Sequence, residues 1–438
     1  MSTTFPPGSP HHWRVSRAES AQAPTPTGRR RAIGFWSVAG AFAIIMGFSA
    51  VPTPLYGLYA QRDGFGALTI TIVFAVYVVG VVVGLLGAGH ISDWYGRRPV
   101  LISALATAAV SGVIFLFWRD LSGLIVARLI NGFAIGATSS TATAWLSELH
   151  GTRHAMNSRL PEIVAAAANL GGVGAGALIA GLLAQWISAP LTVPYLVFLA
   201  LIVIAAIGLV LTPETHVVPA ADRPRYHPQR LRAPAQARGR FYAALTGAFM
   251  AFAAIGFFTS LAPSFLAGPL GSPSVALAGA VAFLVTATAA AAPIALFRVG
   301  QDTVARLGAA VVIAGTVALV VAVELSTPSL WLFLTGGALI GIGAGAYFRS
   351  SLTTVLAISD PATRAGTLVS LFLSGYIGMA LPVLGLGVLV QHIALNTALL
   401  LFGALLVVGV SASIRPMLHQ RADSRAVSTG ESDADHAS

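Results

Sequence analysis

Apolar runs of about 20 residues or more, long enough to cross the ~30 Å hydrocarbon core of a bilayer as helices, recur along most of this 438-residue chain. In hydrocarbon the backbone must satisfy its own hydrogen bonds, which leaves helices or a closed barrel. The alternating segments of about ten residues that a barrel needs do not occur in the sequence. Only 9% of the residues are charged and 56% are hydrophobic, against roughly 25% charged in a soluble domain. The fold class that follows is an all-α integral membrane protein with twelve transmembrane helices. The predicted spans, numbered in order, are 33–58, 68–91, 99–118, 121–147, 160–186, 190–212, 241–266, 274–297, 307–325, 328–357, 365–390 and 393–414.

The basic residues orient these helices. All 25 are arginine and the net charge is +10. With the N-terminus inside, every arginine except Arg62, Arg119, Arg128 and Arg349 falls in a tail or an inner loop, as the positive-inside rule requires. Both termini are therefore expected in the cytoplasm, and this loop placement argues against nucleic acid as a partner. Arginine without lysine, in a chain rich in Ala, Gly and Val, is read as the mark of a GC-rich bacterial genome, which makes the inner membrane the expected location. Residues 1–31 and 417–438 read as disordered polar tails. The chain divides into a half at 32–212, a basic, proline-containing linker at 213–240 and a half at 241–416. Ser49-Ala-Val-Pro52-Thr53-Pro54-Leu-Tyr56 late in helix 1 resembles Thr259-Ser260-Leu-Ala-Pro263-Ser264-Phe-Leu266 late in helix 7, a weak internal repeat.

Between helices 2 and 3 stands Gly89-His-Ile-Ser-Asp93-Trp-Tyr-Gly96-Arg97-Arg98-Pro99-Val-Leu101. Gly89 and Gly96 permit close approach and a sharp turn, and Pro99 suits the first turn of a helix. Asp93 is placed to pair with Arg97 or to receive helix N-terminal N–H groups. The stretch resembles the G-x-x-x-D-x-x-G-R-[RK]-x-x-L signature of the major facilitator superfamily, although Trp94 stands where that family usually has a basic residue. Pro213-Glu214-Thr215 resembles the P-E-T often seen between the family's halves. The resemblance implies two parallel six-helix halves around a central cavity, with transport by alternating access. It also implies a conformational switch made of Gly89, Asp93, Gly96, Arg97 and Arg98, latched to helix 11 in the outward-open state, with Glu148 as a second acid near Arg97 or Arg98. The alternative for this loop is a solvated turn that only fixes topology.

Arg128, opening Arg128-Leu-Ile-Asn131-Gly132, resembles the family's second motif early in helix 4. A charge at that depth costs at least ~2.5–3.5 kcal/mol near the helix centre, so it requires a wet cavity, a ligand or neighbouring carbonyls. The candidate substrate contacts are Thr53, Arg128, Asn131, Asn169, Thr259, Ser260, Tyr347 and Tyr376. Arg349, after the stripe Gly337, Gly341 and Gly345, is read first as an arginine reaching the inner interface. Helix 5 carries Gly171, Gly172, Gly174 and Gly176 but lacks the Gly-Pro pair of the family's antiporter motif.

No acid falls in the middle of helices 1, 4, 7 or 10. A coupled proton would then ride on Asp93, Glu148, Glu162 or His90; otherwise the protein is a uniporter. Cysteine is absent, and the sequence shows no HExxH, GxSxG or phosphate-binding loop, so neither enzyme chemistry, a cofactor nor a metal site is expected. The reading is a transporter, acting as a monomer in the lipid bilayer, of a small molecule, with the intramembrane arginines favouring an organic anion. The alternatives are a proton-coupled multidrug efflux antiporter and, in a different class, a transporter-derived membrane sensor.

Overall fold

The computed structural model describes residues 28–151, 160–215, 237–360 and 364–418. Among these residues twelve helices are long and apolar enough to cross a membrane. We number them α1 (Arg29–Asp63), α2 (Ala67–Tyr95), α3 (Arg97–Phe117), α4 (Leu121–His150), α5 (Leu160–Trp186) and α6 (Val193–Leu211), then α7 (Arg238–Ser260), α8 (Val275–Ala295), α9 (Gln301–Glu324), α10 (Leu330–Ile358), α11 (Arg364–Leu389) and α12 (Leu395–Leu418). The expectations for residues 1–27, for most of the linker (216–236) and for residues 419–438 lie outside the described residues. Where tail and linker meet the spans, helix extends further than expected: it includes Arg29–Arg31, Arg238–Arg240 and Met417.

Two details depart from the sequence reading. The turn between α2 and α3 shrinks to Gly96, because α2 stays helical through Tyr95 and α3 starts at Arg97. Gly96 reverses the chain alone at φ 96°, a conformation that costs glycine little and other residues much. Asp93 therefore sits on the last turn of α2 instead of in a loop. The second detail is a π-helical turn, Ala167–Gly171, inside α5. It carries Asn169 and lies against α1 and α8.

The repeat read between helices 1 and 7 reappears as matching breaks. α1 is interrupted at Val51, before Pro52 opens a second helical piece, Pro52–Asp63. α7 ends at Ser260, and a short helix, Ala262–Ala267, follows with Pro263 in its first turn. Prolines lack the N–H that helix continuation requires.

α2 crosses α4 at very short range. Gly80 and Gly84 face Gly132 and Gly136, and a Cβ on Gly132 would overlap the backbone at Tyr77 and Val81. Small residues at such crossings let packing replace the hydrophobic effect that lipid cannot supply. Gly341 and Gly345 do the same for α10 against α8, while Gly337 makes room for the Phe258 ring of α7.

The first six helices meet the last six mainly through α5–α8 and α2–α11. These contacts concentrate at the end that carries Asp63 and Gln185. There Gly181 lies against Val275 and Gly279, and Gly387 against Thr71. In α1, residues 45–56 are all buried, and in α7 so are residues 253–260. Toward the opposite end, which carries Arg97, Arg298 and Arg364, α1 shows an exposed stripe of Ile33, Trp36 and Gly40. α7 has Tyr242 exposed there, with Leu245, Phe249 and Phe252 half-buried. The interior is thus packed shut at the Asp63 end and open at the arginine-rich end.

Candidate substrate site and arginine-rich corner

Arg128 is 1% exposed and is held between α1, α2 and α4. Pro52 and Pro54 open the α1 helix, and at that break the Ser49 carbonyl accepts from Arg128 Nη1 at 2.7 Å. The guanidinium carbon lies 4.3 Å from the Tyr77 ring centroid and 5.8 Å from that of Tyr56, within the range of cation–π attraction. The glycine crossing of α2 and α4 fixes Tyr77 in this position.

Around the guanidinium several polar atoms are unmatched. Arg128 Nε, both polar atoms of the Asn131 amide and the Tyr56 hydroxyl are buried and make no hydrogen bond of normal geometry. Asn131 stands one turn along α4, on the same face as Arg128. Burying such groups without partners costs on the order of 1–3 kcal/mol each. Arg62 pairs with Asp63 and Arg97 with Glu148, and neither ion pair involves Arg128. A fixed positive charge with spare donors, unpaired with any carboxylate among the described residues, is a setting that favours an anion.

Toward the open end Tyr77 has Tyr376 of α11 as an electrostatic neighbour, and the Tyr376 hydroxyl approaches Ser139 of α4. Phe252 packs edge-on against Tyr376 at 5.6 Å and against Phe348 at 5.1 Å. Toward the closed end, the Tyr59 and Tyr195 hydroxyls share a 3.0 Å hydrogen bond, and Tyr195 stacks on Phe115.

The other candidates are placed differently. Thr53 is buried in the second piece of α1, and Asn169 is half-buried on the π turn of α5. Thr259 and Ser260 spend their hydroxyls on carbonyls of their own helix, at Ile255 and Gly256. Tyr347 points to α12, where its hydroxyl meets the Val410 carbonyl at 3.2 Å and Ser413 at 2.8 Å. The structure therefore gathers Arg128, Asn131 and Tyr376 in one region and turns Tyr347, Thr259 and Ser260 away from it. Ser49, Tyr56, Tyr77 and Ser139 belong to that region and are absent from the sequence candidates. Gly80 and Gly84, one and two turns past Tyr77, are the usable signal for that α2 residue. Arg349 donates to the Pro293 and Phe297 carbonyls at 3.4 and 3.3 Å, at the end of α8, where the helix dipole welcomes a cation.

At the arginine-rich end a second polar group ties four helices of the first six. Arg97 Nε and Nη2 each lie 3.0 Å from Glu148 Oε1, and Arg97 Nη1 donates to Ser92 at 2.8 Å. The approach of Glu148 to Arg97 is the one expected from the sequence. Glu214 has a role there that the sequence reading does not give it. Its carboxylate accepts from the backbone N–H of Arg97 at 3.1 Å and of Arg98 at 2.8 Å, which caps the first turn of α3. Thr215 then donates to Glu148 Oε2. Gly89 lies within α2, and the side chains of His90 and Asp93 lie outside what is described. Glu214→Gln should lower thermal stability by about 0.3–1 kcal/mol, the usual value of an anion at a helix N-terminus. Thermal unfolding of the purified variant beside the parent protein measures this, and an unchanged midpoint would remove Glu214 from the corner's energetics.

Residues 37–325 match the family profile described as the Major Facilitator Superfamily. Over 106 residues the chain is 33% identical to the arabinose-proton symporter of Bacillus subtilis (strain 168), a match covering 24% of this chain and 21% of that protein. Over 145 residues it is 28% identical to the 4-hydroxybenzoate transporter PcaK of Pseudomonas putida, covering 32% of each. Over 110 residues it is 33% identical to the gallate transporter of Pseudomonas putida, covering 25% of this chain and 23% of that one. The chain thus matches only a fifth to a third of the length of these relatives. Among solved structures, a mutant form of the nucleoside transporter NupG superposes with a TM-score of 0.68 at 15% identity, over 87% of this chain and 99% of that one. A bacterial homologue of the human lysosomal transporter Spinster, inward-facing and unoccupied, gives 0.68 at 14% identity, over 89% and 97%.

Proposed function

Because the chain belongs to the major facilitator superfamily and is a membrane transporter of small molecules, we propose that it carries an organic anion, of the aromatic-acid class, by alternating access. The observation that carries this reading is Arg128, a buried cation whose Nε is unmatched and which stands beside the unmatched Asn131 amide. A carboxylate would accept from Arg128 Nε and the Asn131 amide, with Tyr77, Tyr376 and Phe252 offering ring faces nearby. The relatives named for 4-hydroxybenzoate and gallate, both carboxylates on a ring, support that class.

The arginine-rich end is the cytoplasmic one in this proposal, since inner loops hold the positive charge, so the conformation described is open inward. Both termini then lie in the cytoplasm of a bacterial cell, and a monomer suffices. The bodies at 32–212 and 241–416 would rock about the interface of α5–α8 and α2–α11. Asp93 would engage the start of α11 when the arginine-rich ends close. Arg128 is reached from the open end by displacing Tyr77, whose ring rests on the guanidinium.

The test is thermal unfolding of the purified protein against aromatic carboxylates, neutral metabolites and lipophilic cations. A ligand at 100 times its dissociation constant stabilises by about 2.7 kcal/mol if it binds only the folded state. Stabilisation by the carboxylates supports the reading, and stabilisation by lipophilic cations alone would replace it with drug efflux.

A further inference from the structure

Gln185 ends α5 at the closed end of the molecule, and its side chain crosses from the first six helices to the last six. Its Oε1 accepts from Ser274 Oγ at 3.2 Å and from the backbone N–H groups of Val275 at 3.0 Å and Ala276 at 3.4 Å. Those amides open α8 and have no partner within their own helix. Ser274 caps the same turn, accepting from the Leu277 N–H at 3.2 Å. One turn deeper Gly181 packs against Val275 and Gly279, and Gly279 against Ala177, with backbones too close for any Cβ.

We infer that Gln185 is the positioning residue that holds the Asp63 end shut, a side-chain cap on a helix of the opposite body. Opening that end requires α5 and α8 to part, and the whole set of Gln185 bonds breaks when they do. The contacts one turn deeper, at Gly181 and Gly279, are backbone-to-backbone, so they depend on distance alone. The Gln185 set carries direction as well, since its acceptor faces the positive end of the α8 dipole. The inference rests on the closed end alone and is independent of which cargo the protein carries.

The sign of each substitution follows. Gln185→Ala removes the acceptor, and the amides of Val275 and Ala276 turn to water when the end opens. A net hydrogen-bonding contribution of the usual size shifts the open-to-closed ratio about fivefold toward opening. Gln185→Glu replaces a neutral acceptor with an anion at a helix N-terminus and shifts the ratio the other way. Gln185 is exposed, so neither change disturbs a core.

The chain has no cysteine, so Gln61→Cys and Gln391→Cys, both at exposed positions of this end, introduce its only two thiols. Spin labels there report the separation of the two bodies by double electron–electron resonance, on the full chain in lipid nanodiscs. The expected result is a longer-distance population that grows about fivefold in Gln185→Ala and shrinks in Gln185→Glu. Identical distributions in all three proteins, or shifts of the same sign in both variants, would overturn the assignment.

Discussion

Arg128→Gln should cut affinity for the proposed organic anion about ten- to hundredfold while leaving the thermal midpoint unchanged or raised. The first half follows from the value of hydrogen bonds to a charged group, about 1.5–3 kcal/mol. The second follows from the geometry. The guanidinium is buried and has one carbonyl hydrogen bond, at Ser49, and two ring faces, yet Nε stays unmatched. A buried charge that is incompletely paired does not stabilise a fold, and replacing it with a neutral group of similar reach is often neutral or favourable. Ligand-induced stabilisation and unliganded unfolding, measured on the same preparation, separate the two halves. A strongly lowered unliganded midpoint with intact affinity would make Arg128 a structural tie between α1 and α4.

Gly132→Ala should be strongly damaging for a single methyl in the first six helices. Its Cβ would collide with the backbone of α2 at Tyr77 and Val81. Backbone atoms cannot rotate aside as a side chain does, so the two helices must separate, and overpacking of this kind costs about 1–3 kcal/mol or more. The separation also carries Tyr77 off the Arg128 guanidinium, so stability and anion affinity should fall together. Gly40→Ala is the matched control. Nothing lies within 4 Å of a Cβ there, and replacing a helical glycine with alanine gains up to about 1 kcal/mol. Thermal midpoints of the two variants should therefore move in opposite directions. Equal midpoints would mean that the α2–α4 crossing relaxes freely.

Legibility in the sequence depends on range. The twelve helices follow from run length and the demand that backbone be satisfied in lipid, which are local properties. The pairing of Arg97 with Glu148 is also readable, because both residues bracket short connections at the same end of the bundle. The role of Glu214 is not, although its triplet stands out, because capping α3 depends on where α6 delivers the chain. Tyr347 and Thr259 mislead for a different reason. A polar residue in mid-helix can face any neighbour, and helical phase relative to the cavity is set by tertiary packing. Tyr347 faces α12, and Thr259 back-bonds to its own helix. Tyr77 is hidden in the sequence because a tyrosine in an apolar run resembles core until the glycine crossing brings it under a cation.

The breaks in α1 and α7 make motion at the Asp63 end divisible. Beyond Val51 the chain forms a piece only from Pro52 to Asp63, and beyond Ser260 one from Ala262 to Ala267. Each piece joins its parent helix through a proline-weakened elbow and can tilt without carrying the remaining helix along. In the alternating-access cycle proposed above, these two small caps would wall in the cargo before the large bodies rotate, which would make capture and translocation separate events with separate barriers.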